Sequence, residues 1–310
     1  MSSLHPDYPT SKEVDDWCDG VLARARALNV RTQMGEAPYD FQPRVRHTGG
    51  AYVTFECVGG RKFYGFYQQS PSGRGPLLLH VPGYGAEMSA HPELVTQGYN
   101  VLHINPLGYA TPGGFDELKR VGGTWPVLPD TVASLGERGY VDWLADASAA
   151  ALWALEQGGV ERNRYAFFGT SQGGGTALLL ASIFSARGVR CVAADEPFLV
   201  NFPLLYAQKE PGAYEIVFGP LKRIVEERPN DLSRVWKAVG YIDTMNHVHR
   251  LKMPVLLTAG QQDATCPPVS IKSLFDALPG TRSYSEIAGL AHGYTTPFLH
   301  LIMAWFRLFV

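Results

Sequence analysis

The most constraining feature of the chain is the pentapeptide Gly169-Thr170-Ser171-Gln172-Gly173, which matches the pattern G-x-S-x-G. The apolar run Tyr165 to Phe168 stands directly before it and predicts a buried strand, and the run Thr176 to Phe184 after it predicts a helix. Small residues on both sides of a serine let a strand and a helix approach closely while the serine backbone takes a strained turn. The segment is therefore predicted to fold as a strand, a sharp turn and a helix.

Other apolar runs extend this pattern into an α/β fold. The helical stripe Val141 to Gln157 lies between two of the strand candidates and is ended by Gly158-Gly159. Strands that alternate with helices at this spacing predict a mainly parallel sheet flanked by helices. The strand candidates besides Tyr165 to Phe168 are Leu77 to Val81, Asn100 to Ile104, Val189 to Ala193 and Val255 to Thr258.

Two stretches interrupt the alternation. The stretch Tyr109 to Tyr140 is rich in Gly and Pro and predicts a long excursion, of a kind that is usually functional or interfacial. The stretch Pro197 to Met253 carries helical pieces, Tyr214 to Arg228 and Asp231 to Val239, and predicts a helical insertion over one end of the sheet. No linker separates the halves, so we expect one domain over 1–310, with a helix and antiparallel strands in about 1–70.

Composition excludes several classes of protein. The 310 residues are 45% hydrophobic, and 27 basic against 29 acidic side chains give a formal charge of −2, which speaks against nucleic-acid binding and disorder. The uncharged stretch Tyr165 to Ala186 contains polar and glycine residues unsuited to a membrane helix. The start Met1 to Asp7 lacks a secretory pattern, and the four scattered cysteines form no CxxC pair. We expect a cytoplasmic protein without membrane, metal or cofactor.

The serine motif in this context predicts the turn that exposes a nucleophile, here Ser171. A serine needs a base oriented by an acid, and such folds present the three in the order Ser, Asp or Glu, His. The preferred base is His292, in a loop from Gly289 to Gly293 that follows the predicted strand Tyr284 to Ile287. His247 and His249 are two residues apart, which disfavours a metal pair and favours a solvated surface role, and His300 belongs to a terminal helix, Phe298 to Leu308.

For the acid, Asp263 stands beyond the predicted strand Val255 to Thr258, where α/β sheets place their sites. Asp195-Glu196 also follows a strand and is the rival. Asp243 is another rival, but its helical context favours a cap or surface role. The preferred acid is Asp263.

An oxyanion hole in such a fold takes one N–H from the residue after the nucleophile, Gln172, and another from a loop after an earlier strand. The segment Pro82-Gly83-Tyr84-Gly85 supplies that loop, and its glycines predict Tyr84 as the second donor. Considered as structure alone, the same segment is an ordinary Gly-Pro turn.

The sequence resembles the acetyl xylan esterase and cephalosporin C deacetylase family of α/β-hydrolases over most of its length. The resemblance implies an α/β-hydrolase fold, serine esterases of short acetylated xylo-oligosaccharides and small acetyl esters, the triad Ser171, Asp263 and His292, and ring-shaped homo-oligomers, commonly hexamers. It rests on Pro82-Gly83-Tyr84, Gly169-Thr170-Ser171-Gln172-Gly173-Gly174, Ala194-Asp195-Glu196-Pro197-Phe198-Leu199, Tyr241-Ile242-Asp243-Thr244-Met245-Asn246 and Asp263-Ala264-Thr265-Cys266-Pro267-Pro268.

Two positions depart from the family pattern and mark a divergent member. Where the family carries Arg-Gly-Gln, this chain reads Asn105-Pro106-Leu107-Gly108-Tyr109, and Gly293 follows His292 where the family often has Glu. The leading hypothesis is a small-ester serine carboxylesterase, a deacetylase. One alternative is a prolyl-oligopeptidase-like peptidase, although about 76 residues before the strand at Leu77 are too few for a propeller domain. The other is a catalytically silent binding module, although such proteins usually lose a triad member.

Overall fold

The computed structural model describes residues 4–36, 47–58, 60, 62–84, 89–105, 127–208, 212–227, 229–293 and 296–310. Within these residues the strands form a single sheet. They are β1 (Arg31–Gly35), β2 (Ala51–Glu56), β3 (Lys62–Gln68), β4 (Gly75–Val81), β5 (Asn100–Asn105), β6 (Val160–Thr170), β7 (Cys191–Asp195), β8 (Val255–Gly260) and β9 (Arg282–Ile287).

The sheet is mainly parallel, as predicted. Its strand order is β1-β2-β3-β5-β4-β6-β7-β8-β9, with antiparallel pairing from β1 to β5 and parallel pairing from β5 through β4 to β9. The interior strands β4, β5, β7 and β8 are buried along their whole length, because helices cover both faces. All five apolar runs of the sequence are strands, with ends that differ by a few residues.

The described helices are α1 (Ser11–Ala27), α2 (Pro92–Val95), α3 (Val127–Ala133), α4 (Tyr140–Leu155), α5 (Gln172–Ile183), α6 (Phe202–Tyr206), α7 (Glu215–Glu227), α8 (Leu232–Gly240), α9 (Pro268–Ala277) and α10 (Thr296–Phe309). The larger apolar core includes residues of α1, α4 and α5 on one face of the sheet. The smaller core joins α2 and α10 to the other face, against Leu78, Phe168 and Leu256. The two cores fix the carboxyl ends of the parallel strands, where the predicted site lies.

The helices α6, α7 and α8 lie between β7 and β8 in the chain, as the helical stretch Pro197 to Met253 predicted. The helix α8 runs through Gly240, where the sequence predicted its end. Position 240 requires a glycine, because a Cβ at Gly240 would lie 2.5 Å from Pro9 and 2.8 Å from Tyr8. This end of the helix is therefore packed against the N-terminal segment.

Of the predicted excursion Tyr109 to Tyr140, the part up to residue 126 lies outside the described residues. The remaining part contains α3 and the first residue of α4. The sequence predicts self-association through this stretch, and the family resemblance implies a hexamer. Both stay predictions. None of the described helices is both long and apolar enough to cross a membrane.

Candidate active site

Ser171 occupies the sharp turn between β6 and α5. Its φ of 58° and ψ of −122° are strained for a residue with a side chain. The turn is held by hydrogen bonds from Ser171 N–H to the Asp195 carbonyl (2.8 Å) and from Phe198 N–H to the Ser171 carbonyl (2.9 Å). These bonds fix the strained backbone against the segment that follows β7, so the predicted strand, turn and helix are confirmed.

The glycines of the motif are required by close backbone contacts. A Cβ at Gly169 would lie 2.6 Å from the Gly173 and Val81 backbone, and a Cβ at Gly173 would lie 2.1 Å from the Val81 carbonyl oxygen. Backbone atoms in a packed sheet cannot move aside cheaply. The G-x-S-x-G pattern is therefore the sequence that lets β4, β6 and α5 meet below Ser171.

His292 lies between the serine and a carboxylate. Its Nε2 is 2.9 Å from Ser171 Oγ, and its Nδ1 is 2.7 Å from Asp263 Oδ2. The other oxygen of Asp263 accepts hydrogen bonds from the N–H groups of Thr265 (2.7 Å) and Cys266 (2.8 Å). The structure thus brings together all three residues that the sequence singled out, and backbone donors hold the carboxylate in place.

Glu196 places a second carboxylate beside the imidazole ring of His292. Its Oε2 lies 3.2 Å from His292 Nδ1 and accepts a hydrogen bond of 2.7 Å from Gly293 N–H. Its Oε1 is buried and has no hydrogen-bond partner among the described residues. The sequence pointed to Glu196 only as part of the rival pair, because its contact with His292 depends on how two distant loops meet.

The buried carboxylates shape the proton affinity of the site. Burial raises the pKa of Glu196 to about 7 and that of Asp195 to about 6. Burial alone would lower the pKa of His292, but the hydrogen bond to Asp263 and the negative charges of Asp263, Glu196 and Asp195 outweigh it and raise that pKa. The surrounding carboxylates therefore stabilise the imidazolium form of His292, which is the form that His292 takes when it accepts a proton as a base.

The remaining acid candidates have other partners. Asp195 accepts hydrogen bonds from the hydroxyls of Thr170 (3.1 Å) and Thr258. The sequence favoured a cap or a surface role for Asp243, and the structure shows the cap: Asp243 caps the 3₁₀ helix Thr244–His247 and is buried, so the surface alternative does not hold. Its oxygens accept hydrogen bonds from a hydroxyl and three backbone N–H groups, those of Tyr8, Asn201, Phe202 and Met245.

The predicted surface role of His247 is also wrong. His247 is fully buried, and its ring nitrogens contact Ser182 Oγ (2.7 Å) and the Tyr241 carbonyl oxygen (2.9 Å). The helical packing of the insertion turns this side chain inward. His249 is partly exposed beside Asp15, and His300 lies exposed on α10.

The two predicted oxyanion donors flank Ser171. Gln172 is the first residue of α5, so its N–H has no acceptor within the helix and lies at the positive end of the helix dipole. Gly83, next to Tyr84, passes so close that a Cβ there would be 3.8 Å from the Ser171 Cβ. Tyr84 itself is 50% exposed.

Two groups of side chains in the described residues have the donor atoms to hold a metal ion. One group is Asp263, Cys266 and His292, and the other is His80, His91 and His103. In the first group, Asp263 and His292 already engage each other and Ser171. The second group lies outside this network, and sequence spacing gave no signal for it.

Comparison with known proteins places the chain in a family. The family model for acetyl xylan esterase matches residues 2–308. An uncharacterized protein of Mycobacterium tuberculosis is 27% identical over 248 residues, which cover 78% of this chain and 72% of that protein.

Two solved structures share the fold. Acetyl xylan esterase 1 from Thermoanaerobacterium sp. JW/SL YS485 superposes with a TM-score of 0.79 at 20% identity, covering 96% of this chain and 94% of its own. The acetyl xylan esterase from Paenibacillus sp. R4 gives a TM-score of 0.77 at 21% identity, with coverages of 98% and 97%. The architecture is that of the α/β-hydrolases, and this chain, matched by the family model over nearly its whole length, belongs to the acetyl xylan esterase family.

Proposed function

We propose that this chain is a serine carboxylesterase that removes small acyl groups, chiefly acetyl, from ester substrates through an acyl-enzyme. The observation that carries the proposal is the pair of hydrogen bonds from Ser171 Oγ to His292 Nε2 (2.9 Å) and from His292 Nδ1 to Asp263 Oδ2 (2.7 Å). Membership of a family of carboxylic ester hydrolases supports the same chemistry.

In this mechanism Ser171 Oγ attacks the ester carbonyl carbon while His292 Nε2 accepts the hydroxyl proton. The carbonyl oxygen becomes an oxyanion in the resulting tetrahedral intermediate. When the intermediate collapses, the bond to the alcohol oxygen breaks, and the imidazolium of His292 donates its proton to that oxygen. A water molecule, deprotonated by His292, then attacks the acyl carbon of the acyl-enzyme. The bond from that carbon to Ser171 Oγ breaks, His292 returns the proton to Oγ, and the carboxylic acid is released.

The backbone around Ser171 supports stabilisation of the oxyanion. The N–H of Gln172 begins α5, and the segment before Tyr84 runs alongside the serine. We assign Gln172 and Tyr84 as the two donors, which act where negative charge develops in the transition state.

Asp263 is the preferred acid because it makes the shorter contact to His292 Nδ1, 2.7 Å against 3.2 Å for Glu196. Its other oxygen accepts hydrogen bonds from two backbone N–H groups, which hold the carboxylate in the orientation that faces His292. Asp195 accepts hydrogen bonds from threonine hydroxyls instead, and Glu196 helps to position the imidazolium.

Acetylated sugars are the proposed source of the acetyl group. The family and the two acetyl xylan esterases of the same fold support this substrate class. The same Ser, His and Asp geometry would also serve a peptidase, and a silent binding module would show no turnover. A direct assay separates the three.

The test is turnover of 4-nitrophenyl acetate by the wild type and by Ser171→Ala, with the exposed Ser233→Ala on α8 as the matched control. We expect Ser171→Ala to lower kcat by on the order of 10³–10⁶. A fluorophosphonate should modify a peptide that contains Ser171. Faster hydrolysis of aminoacyl anilides than of acetyl esters would indicate a peptidase, and a folded wild type without turnover would indicate a binding module.

A further inference from the structure

Three histidines meet beside the sheet, away from the Ser171 network. His80 is near the end of β4 and His103 is its register partner on the parallel strand β5, while His91 directly precedes α2. All three are buried, with exposures of 8%, 4% and 0% for His80, His91 and His103. One nitrogen of each ring lies within 4.8 Å of one nitrogen of each of the others.

The cluster has more nitrogen acceptors than the described protein groups satisfy. Nδ1 of His80 and Nδ1 of His103 are 2.7 Å apart, so a single proton joins two nitrogens there. Nε2 of His91 is buried and has no hydrogen-bond partner among the described residues. A buried nitrogen left without a partner is costly, and it points to a group that the polypeptide does not supply.

In His91 and His103, the ring nitrogen that points away from the cluster lies near an oxygen acceptor. Nδ1 of His91 lies 3.5 Å from Glu93 Oε1, and Nε2 of His103 lies 3.3 Å from Asn105 Oδ1. Such acceptors hold the N–H on the outer nitrogen and leave the inner nitrogen of each ring without a proton of its own. This arrangement of outer oxygen acceptors is common around metal-binding histidines.

The charge state of the rings suits a cation. Burial, reinforced by the neighbouring His91 and His103, holds the pKa of His80 well below its ordinary range. Burial and the neighbouring His91 and His47 do the same for the pKa of His103, against a weaker opposite effect of Asn105. Neutral imidazole is the form that ligates metal ions.

We propose that His80, His91 and His103 form a binding site for a divalent transition-metal ion, with Zn²⁺ as the preferred occupant. Three imidazoles without a carboxylate ligand favour Zn²⁺ over Mg²⁺ or Ca²⁺, which prefer oxygen. The ligand atoms are Nδ1 of His80, Nδ1 of His103 and Nε2 of His91. Binding needs no net deprotonation, because the proton between His80 and His103 moves to the outer nitrogen of His80.

The ion would stabilise the fold. The ligands come from β4, β5 and the residue before α2, so one ion ties three chain segments together. Zn–N bonds of about 2.0–2.1 Å separate tetrahedral ligand atoms by about 3.3 Å, so the two Nδ1 atoms need move apart only slightly. Because Tyr84 lies four residues beyond His80, the ion also supports the strand end that leads to the oxyanion turn.

The experiment uses the full chain, stripped with a chelator and dialysed against Zn²⁺ alone, with zinc measured per chain. We expect about one zinc per chain in the wild type and in His300→Gln, which removes an exposed histidine on α10. His91→Gln should lose that zinc. Saturating Zn²⁺ should raise the Tm of the wild type by about 3–5 °C and leave that of His91→Gln unchanged.

Glu93→Ala covers the case in which His91→Gln fails to fold, because the Glu93 side chain is 30% exposed and tolerates removal. It should weaken zinc binding by about 10–100-fold. Co²⁺ should give the visible absorption of a low-coordinate site in the wild type, and this signal should weaken in Glu93→Ala.

Three results would overturn the proposal. The first is a wild type that retains no zinc after dialysis, and the second is unchanged zinc affinity in both His91→Gln and Glu93→Ala. The third is zinc that is lost in His292→Asn but kept in His91→Gln, which would place the ion at Asp263, Cys266 and His292 instead.

Discussion

Glu196 places a carboxylate oxygen 3.2 Å from Nδ1 of His292, the same ring nitrogen that forms the hydrogen bond to Asp263. Glu196 also has a backbone φ of +43° and is fully buried. Its pKa, raised to about 7 by burial, lies where the enzyme would work. The proton affinity of His292 therefore depends on the ionisation of Glu196 as well as on Asp263.

The first prediction concerns the pH profile of Glu196→Gln. The base must be neutral to accept the serine proton, so kcat/KM rises as pH increases through the pKa of His292. Asp263, Glu196 and Asp195 all raise that pKa, and removing the Glu196 charge lowers it. We expect the acid limb to move to lower pH by about 0.5–1 unit, with kcat at its plateau within about tenfold of the wild type.

The matched control is Glu161→Gln, which removes the same charge near the start of β6, at the opposite end of the strand from Ser171. Its acid limb should coincide with that of the wild type. If Glu196→Gln and Glu161→Gln give the same limb, Glu196 does not act on His292.

The second prediction ranks the carboxylates. Asp263→Asn should lower kcat by on the order of 10³–10⁴ and keep the fold, because the imidazole loses the partner that fixes its tautomer and stabilises its charged form. Asp195→Asn should cost much less, since Asp195 bonds to Thr170 and Thr258. Steady-state kinetics on variants of equal Tm decide the ranking. A larger loss of kcat in Asp195→Asn than in Asp263→Asn would show that Asp263 is not the acid.

The juxtaposition of Ser171, Asp263 and His292 could be predicted from the sequence because each of the three residues follows a local rule. Gly169 and Gly173 reveal the turn at Ser171, and the order Ser, Asp, His reduces the choice to a few loops. Asp263 follows the strand predicted from the apolar run Val255 to Thr258, and His292 follows the separately predicted strand Tyr284 to Ile287. The parallel sheet then brings the ends of these strands together.

The histidine cluster could not be predicted in the same way. His80, His91 and His103 are 11 and 12 residues apart, spacings that match no short metal motif, and they meet only because β4 and β5 are register partners. His247 was wrongly predicted because its burial depends on Ser182 of α5, 65 residues away. Both cases need tertiary contacts that sequence spacing does not encode.

The third prediction tests the turn itself. In Gly173→Ala the new Cβ would lie 2.1 Å from the Val81 carbonyl oxygen, so the turn must shift or lose stability. We expect a loss of about 1–3 kcal/mol in the free energy of unfolding and a large loss of kcat. Gly158→Ala is the control, because nothing lies within 4 Å of its added Cβ. Equal stability of both variants by urea denaturation would contradict this account.

The fourth prediction separates stability from catalysis at Asp243. Asp243→Asn weakens the acceptor of hydrogen bonds from Tyr8, Asn201, Phe202 and Met245. We expect the free energy of unfolding to fall by about 1.5–3 kcal/mol, with kcat/KM within about twofold of the wild type. Asp231→Asn, in a partly exposed ion pair with Arg234, should change stability by less than about 0.5 kcal/mol. A kinetic defect larger than the stability defect would give Asp243 a catalytic role.

The last prediction concerns the size of the acyl group. Cys266 is fully buried and lies within electrostatic reach of Ser171, and the buried Tyr140 and Tyr214 lie within electrostatic reach of Cys266. We therefore expect little room for a long acyl chain on this side of the serine. Since overpacking costs about 1–3 kcal/mol, kcat/KM should fall by roughly ten- to a hundredfold from 4-nitrophenyl acetate to the octanoate.

Cys266→Ala tests which side chain sets this limit. Removing the thiol enlarges the space beside Ser171, so the ratio of kcat/KM for butyrate over acetate should rise by about tenfold. Cys191→Ala is the matched control, since Cys191 is equally buried but lies on β7 in the smaller core, and its ratio should equal that of the wild type. An octanoate that is hydrolysed better than acetate by the wild type would show an open cleft and a general esterase. An unchanged ratio in Cys266→Ala would assign the limit to other residues.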